Sequence, residues 1–248
     1  MEVHHHAHQG HDKKTWKSYF WEFFMLFLAV FCGSVAELQL EHYIENKREK
    51  QFIESLAEDI KNDMGVIERG VNRTKKMILG RDSLVQLINR GINSGQQIDS
   101  FYALHKKYIG ITAPFQFSKR TVTQLLSSGN LRLIQKTNVA DSISVYVSRV
   151  DYFEKQLLPQ FIYYDEKTID ASERLIDTKY FLSSTIDEKY LPTEKSFLAS
   201  NDLALLKAFA FRVEIEKECN MITVKTLQII GNKAERLLKL LEVEYSLK

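Results

Sequence analysis

The chain has 248 residues, 44% of them hydrophobic, with 34 basic and 32 acidic side chains and a formal net charge of +2. That length suits one helical domain plus an anchor, and no stretch rich in Pro, Gly or Ser demands a second domain. Charges of both signs are mixed along the chain, so no basic stripe tracks a phosphate backbone and no nucleic-acid partner is expected. Cys32 and Cys219 stand far apart and suggest neither a disulfide framework nor a thiolate metal site.

Residues 1–15 carry His4, His5, His6, His8 and His11 in a short polar stretch around Gly10. Such a segment buries too little to offset the entropy of ordering, and a disordered tail is expected. Neutral imidazoles bind Zn²⁺, Ni²⁺ and Cu²⁺, which makes the five histidines candidate metal ligands whose affinity falls as they protonate below about pH 6.5. Without partners that fix the rings, a solvated tail is the simpler account.

Next comes a basic flank at Lys13, Lys14 and Lys17, a dense apolar run, and an acidic exit at Glu37, Glu41 and Glu45. The strictly uncharged part, 23–36, would span only ~21 Å of a ~30 Å hydrocarbon core. Extended to 19–40 it reaches ~33 Å, with Glu22 and Glu37 near the interfaces and Trp16, Tyr19 and Trp21 where aromatic belts form. The apolar side chains contribute roughly −4 kcal/mol to insertion, more than an interfacial Glu22 opposes. A transmembrane anchor over 16–40 is therefore expected.

A cleaved signal peptide is the competing reading, because Ser34, Val35 and Ala36 offer small residues at the spacing a signal peptidase reads. Against it, the helical pattern runs through that point without Pro or a turn signal. The lysines before the span lie closer to it than Lys47, Arg48 and Lys50 lie after it, which predicts a cytoplasmic N-terminus. In a bacterial host, the domain beyond the span would then be periplasmic.

Within the span, Glu22, Ala29, Gly33 and Ala36 fall at spacings of seven, four and three, near one face and opposite Phe23, Phe27 and Phe31. Ala29 and Gly33 form a small-xxx-small pair of the kind that packs membrane helices, though such pairs also occur by chance in apolar helices. Glu22 could pair across an oligomer or relay protons. Its nearness to Lys17 and Ser18 fits satisfaction at the interface better.

The segment WKSYFWEFFMLFLAVFCGSVAELQLEHYIENKREKQFIESLAEDIKND resembles the opening of an uncharacterised family of Bacteroidota single-pass membrane proteins. A later stretch, TQLLSSGNLRLI, is similar to a second block of that family. The resemblance implies an envelope location and a mostly helical chain, and it implies no activity.

Beyond the span, over 41–248, Ile53, Leu56, Ile60, Met64, Ile67 and Val71 recur every three or four residues, the mark of an amphipathic helix. The anchor is expected to run on into it, with breaks allowed at Gly70 or Gly80 before the pattern resumes at Leu84, Leu87 and Ile88. Residues 91–95 read as a turn, 99–108 as a shorter helix, and Pro114, Phe115 and Phe117 as a packed loop. Ser118 is a candidate N-cap for a helix over 121–126, and Ser127 to Asn130 reads as a stop before a restart over 131–134. This irregular middle could form a pocket or a partner surface, and an enzymatic reading would need a polar pocket over 104–134. Two long helices follow, over 138–178 and from 202 to the C-terminus, expected to be antiparallel neighbours, the first kinked at Pro159. Residues 180–200, with Pro192, read as their connection. The fold class expected is all-α, a transmembrane helix continuing into a bundle of long amphipathic helices.

No phosphate loop, H-E-x-x-H or nucleophile elbow occurs, so no enzyme is read and no cofactor is implied. Glu41, His42 and Glu45 share metal-ligand spacing, yet without a second contributing helix a charged face that meets water explains them better. His105, Tyr163 and Tyr164 fit core or surface positions better than a ligand pocket. The expectation is a membrane-anchored, non-enzymatic protein whose helical domain binds a partner, scaffolds or senses at the cell envelope. The alternative is a subunit of an oligomeric membrane assembly or channel, with a homo-oligomer or an envelope protein as partner.

Overall fold

The computed structural model of the chain describes residues 15–110, 115–127, 129–177 and 197–247. The five N-terminal histidines, Lys13, Lys14, Pro114 and Pro192 lie outside the described residues. Of the described residues 86% are helical and none is in a strand, so the fold is all-α. By internal contacts the chain divides into two compact units, Met1–Gln51 and Phe52–Lys248.

The helices in chain order are α1 (Trp16–Arg90), α2 (Gly95–Tyr108), α3 (Arg120–Ser127), α4 (Thr137–Tyr152), α5 (Leu158–Ser172) and α6 (Leu203–Tyr245). A 3₁₀ turn, Asn130–Leu133, follows α3, and a π-helical turn, Phe153–Leu157, joins α4 to α5.

In the second unit, α1 buries Ile53, Leu56, Ile60, Asp63, Ile67, Gly70, Thr74, Met77, Arg81, Leu84 and Ile88, alternating steps of three and four residues without a fault. That spacing averages 3.5 residues, the period that keeps one seam facing its neighbours in left-handed helix packing. On α6, Leu206, Phe209, Val213, Glu216, Cys219, Thr223, Leu227, Ile230, Ala234, Leu237 and Leu241 form the corresponding seam. Each fully buried Ile or Leu contributes about 1.5–3 kcal/mol, so these two stripes carry much of the drive to fold.

Pairings fix the directions. Lys136, at the start of α4, bonds Glu244 near the end of α6 (2.8 Å), while Asp165 on α5 and Glu216 on α6 meet at Arg81 of α1. The expected antiparallel arrangement of the last two long helices is thus the observed one. The π turn places one extra residue just before Pro159, whose ring and missing N–H cannot continue a regular ladder. It carries the buried face from Val150 and Phe153 on to Asp165, Thr168 and Ser172.

Neither Gly70 nor Gly80 breaks α1. Both are points of close approach: a Cβ on Gly70 would meet the Phe115 ring, and one on Gly80 would overlap the Tyr108 ring. The helix expected over 99–108 begins earlier, at Gly95. Ser94 and Gln97 form a capping box there, the Ser94 hydroxyl accepting from the Gln97 N–H and Gln97 Oε1 from the Ser94 N–H. At α3 the acceptors come from α1: Asp63 Oδ1 takes the Ser118 N–H (2.7 Å) and Asp59 Oδ2 the Thr121 N–H (3.4 Å), in place of the expected Ser118 cap. On either side of 178–196, the Tyr102 hydroxyl accepts from the Asp177 N–H and donates to the Phe197 carbonyl.

Candidate functional site

Two features depart from what a soluble helical core requires. The first is in the unit Met1–Gln51, where α1 contains an 18-residue window long and apolar enough to cross a membrane, with none of it buried. Trp16, Phe20 and Phe24 stack in one ladder, and Phe23, Phe27 and Phe31 in a second, with successive centroids 6.0–6.4 Å apart. At about 100° per residue both ladders share one side of the helix. Glu22, Ala29, Gly33 and Ala36 share the other, all exposed, and a Cβ on Gly33 would meet nothing within 4 Å. So many exposed large apolar side chains exceed what water tolerates on a stable surface.

The second feature lies in the unit Phe52–Lys248. Two hydrophobic clusters share α1 and α6 there: Ile53 to Ile67 packs with Leu227 to Leu241, and Leu84 to Ile92 packs with Leu206 to Val213. Between them, in the same seam, the apolar pattern gives way to Thr74 and Arg81 on α1 and to Glu216 and Thr223 on α6. Arg81, 4% exposed, holds Glu216, 3% exposed, in a direct ion pair, and lies 3.6 Å from Asp165 of α5. Burial pushes the Glu216 carboxyl up to about 7, with the Arg81 charge opposing it, and burial pulls the Arg81 guanidinium below its usual value.

One guanidinium and two carboxylates taken from water together need good geometry to break even. Beside them is a cavity of about 60 Å³, bounded by Met77, Phe115, Leu158 and Phe161 on the apolar side and by Arg81, Glu216 and Asn220 on the polar side. Arg73 also lines it and is exposed, so the cavity reaches solvent at that edge. Cys219, on the same wall, is buried, and desolvation raises its thiol to about 11, which leaves it an inert thiol at neutral pH.

The cavity lies almost wholly outside the irregular middle, 104–134. Phe115 alone of its described residues reaches the cavity, whose walls come from α1, α5 and α6. His105 is a core residue: it stacks on Phe101 and Phe209, and burial pushes it down to about 4, keeping it neutral. Tyr163 is exposed and Tyr164 half-buried, neither lining the cavity. Among the described residues no three His, Cys, Asp or Glu side chains are grouped to hold a metal ion, and Glu41, His42 and Glu45 are no exception.

The polar belt escaped sequence reading because Arg81, Asp165 and Glu216 are far apart in the chain. A signal was present in the seven-residue spacing of Thr74 to Arg81 and of Glu216 to Thr223, polar pairs standing in otherwise apolar seams. No protein family, no curated protein and no solved structure matches this chain.

Proposed function

We propose that the chain is a membrane-anchored, non-enzymatic protein of a bacterial cell envelope, whose helical domain binds a partner, scaffolds or senses. The observation that carries this reading is the wholly exposed apolar segment of α1. Its Phe, Leu, Val and Met side chains are exposed among the described residues, and a hydrocarbon core would cover them. The bacterial inner membrane is the location that the resemblance of the first block to Bacteroidota membrane proteins would imply. The lysines Lys13, Lys14 and Lys17 support a cytoplasmic N-terminus and a periplasmic domain.

Reporter fusions at the C-terminus test the orientation. Alkaline phosphatase there should be active and green fluorescent protein dark; the reverse pattern contradicts a periplasmic domain. Co-purification from native membranes tests the partner, and a stoichiometric second protein is the expected result.

The alternative, a subunit of an oligomeric membrane assembly, draws on the open face of Ala29, Gly33 and Ala36. Cys32 lies next to Gly33 and is exposed, so oxidative crosslinking in membranes reads this directly. A disulfide dimer lost on Gly33→Leu favours the assembly, and no dimer under any oxidant removes it.

A further inference from the structure

The middle of α5 turns polar groups, not apolar ones, into the bundle. Its buried residues are Asp165, Thr168 and Ser172, whereas α4 buries Val139, Ile143, Tyr146 and Val150. Apolar anchors flank it, the fully buried Phe153 before it and Leu175 after it. Between those anchors the hold of α5 on α1 and α6 therefore rests on polar contacts more than on hydrophobic burial, which makes this stretch sensitive to a change of charge.

The polar contacts converge on Glu216 of α6, whose carboxyl is in hydrogen-bond contact with the Thr168 hydroxyl and the Asp165 carboxyl. Ionised carboxylates only accept, so a hydrogen bond between two of them requires a proton on one. With Arg81 paired to Glu216 and 3.6 Å from Asp165, that proton makes the cluster neutral, one guanidinium against one carboxylate. Without it two negative charges face one positive charge, where burial makes the excess costly. No other group facing the pair supplies the balance. Cys219 on α6 stays a neutral thiol, Arg73 on α1 lies at the exposed rim of the cavity, and the rest of the described lining is uncharged. Both Glu216 carboxyl oxygens and Asp165 Oδ1 are shut off from solvent, so water cannot answer the charge while α5 stays in place.

We propose that Asp165 and Glu216 share a single proton that latches α5 against α1 and α6, and that its release loosens α5 and lets water reach both carboxylates through the adjoining cavity. On release the proton passes to water and both carboxyls remain ionised, with Arg81 still between them. The cavity, about 60 Å³ against about 10–15 Å³ for each water-sized sphere, has room for the waters that a second carboxylate needs. The latch lies wholly within Phe52–Lys248, so it goes beyond the anchoring proposed above and does not rest on it.

Hydrogen–deuterium exchange on the full-length protein in lipid nanodiscs, read by mass spectrometry and corrected for the intrinsic pH dependence of exchange, tests the latch. Burial raises the Glu216 carboxyl to about 7, so about pH 5.5 and about pH 8.5 bracket the loss of the proton. Between them the protection of peptides from α5 should fall by about tenfold or more, while α3, held to α1 by Asp59 and Asp63, keeps its own. Glu216→Gln replaces the shared proton by a permanent amide donor and should leave α5 protection unchanged across this range. Asp165→Asn should do the same, because the proton belongs to the pair. The latch is overturned if α5 protection in the wild type is independent of pH, if every helix loses protection equally, as global unfolding requires, or if a folded variant repeats the wild-type fall. Should neither variant fold, the contrast between α5 and α3 in the wild type still decides.

Discussion

Glu216 is the residue whose chemistry most depends on its surroundings. Burial raises its carboxyl from an ordinary 4.5 to about 7, so between those values the folded chain holds a proton that the unfolded chain has released. The stability this adds is fully present below about 4.5 and is lost as pH rises through about 7. His105 works in the opposite sense: its value is pushed down to about 4, so its contribution is lost as pH falls from 6.5 toward 4. The two partly cancel in the wild type. The difference between wild type and Glu216→Gln isolates the carboxyl, since His105 is common to both. Thermal unfolding should show the variant gaining on the wild type by on the order of 2 kcal/mol from about pH 5 to about pH 8. A gap independent of pH would contradict the assignment. Arg81→Met leaves both carboxylates without their cation and should cost about 3–5 kcal/mol near neutral pH. A cost no larger than that of Glu216→Gln would place the weight of the pair elsewhere. Tyr146 donates to the buried Asp63 at 2.6 Å, and Tyr146→Phe should cost about 1.5–3 kcal/mol in denaturant unfolding.

At the scale of elements, the start of α2 and the middle of α1 offer clean tests. Ser94→Ala removes the hydroxyl half of a capping box and should lower stability by about 1 kcal/mol, with urea melts as the readout. Gly80→Ala combines a gain of about 1 kcal/mol in helix propensity with displacement of the Tyr108 ring. If the close approach governs, the net change is a loss of up to about 2 kcal/mol; a gain would mean that the ring moves freely aside. These two sites also mark where local sequence rules reach their limit. Periodicity located the amphipathic part of α1 and the long C-terminal helix, because apolar residues at steps of three and four are a local signal. It picks out Met64 and Val71 where the seam buries Asp63 and Gly70, since a rule that counts only apolar residues passes over a polar or small residue in the inward register. Gly80 read as a possible break for the same reason: its role depends on Tyr108, a partner from another helix.

For the whole molecule, the all-α class was legible from the absence of strand patterns and the long helical repeats. The candidate cavity was not, because it exists only where α1, α5 and α6 meet, and each contributes one or two polar residues that look ordinary in isolation. The exposed apolar segment of α1 was legible because such a run is contiguous in the sequence, with aromatic residues at its start and charge at either end. It also carries the proposed function, which rests on this segment being held in a membrane. Alkaline carbonate extraction of membranes from cells expressing the chain, with intact mass determined on the pellet, tests this most directly. The account predicts that the chain stays in the pellet at its full mass. Release into the supernatant, or a mass corresponding to cleavage after Ala36, would contradict it.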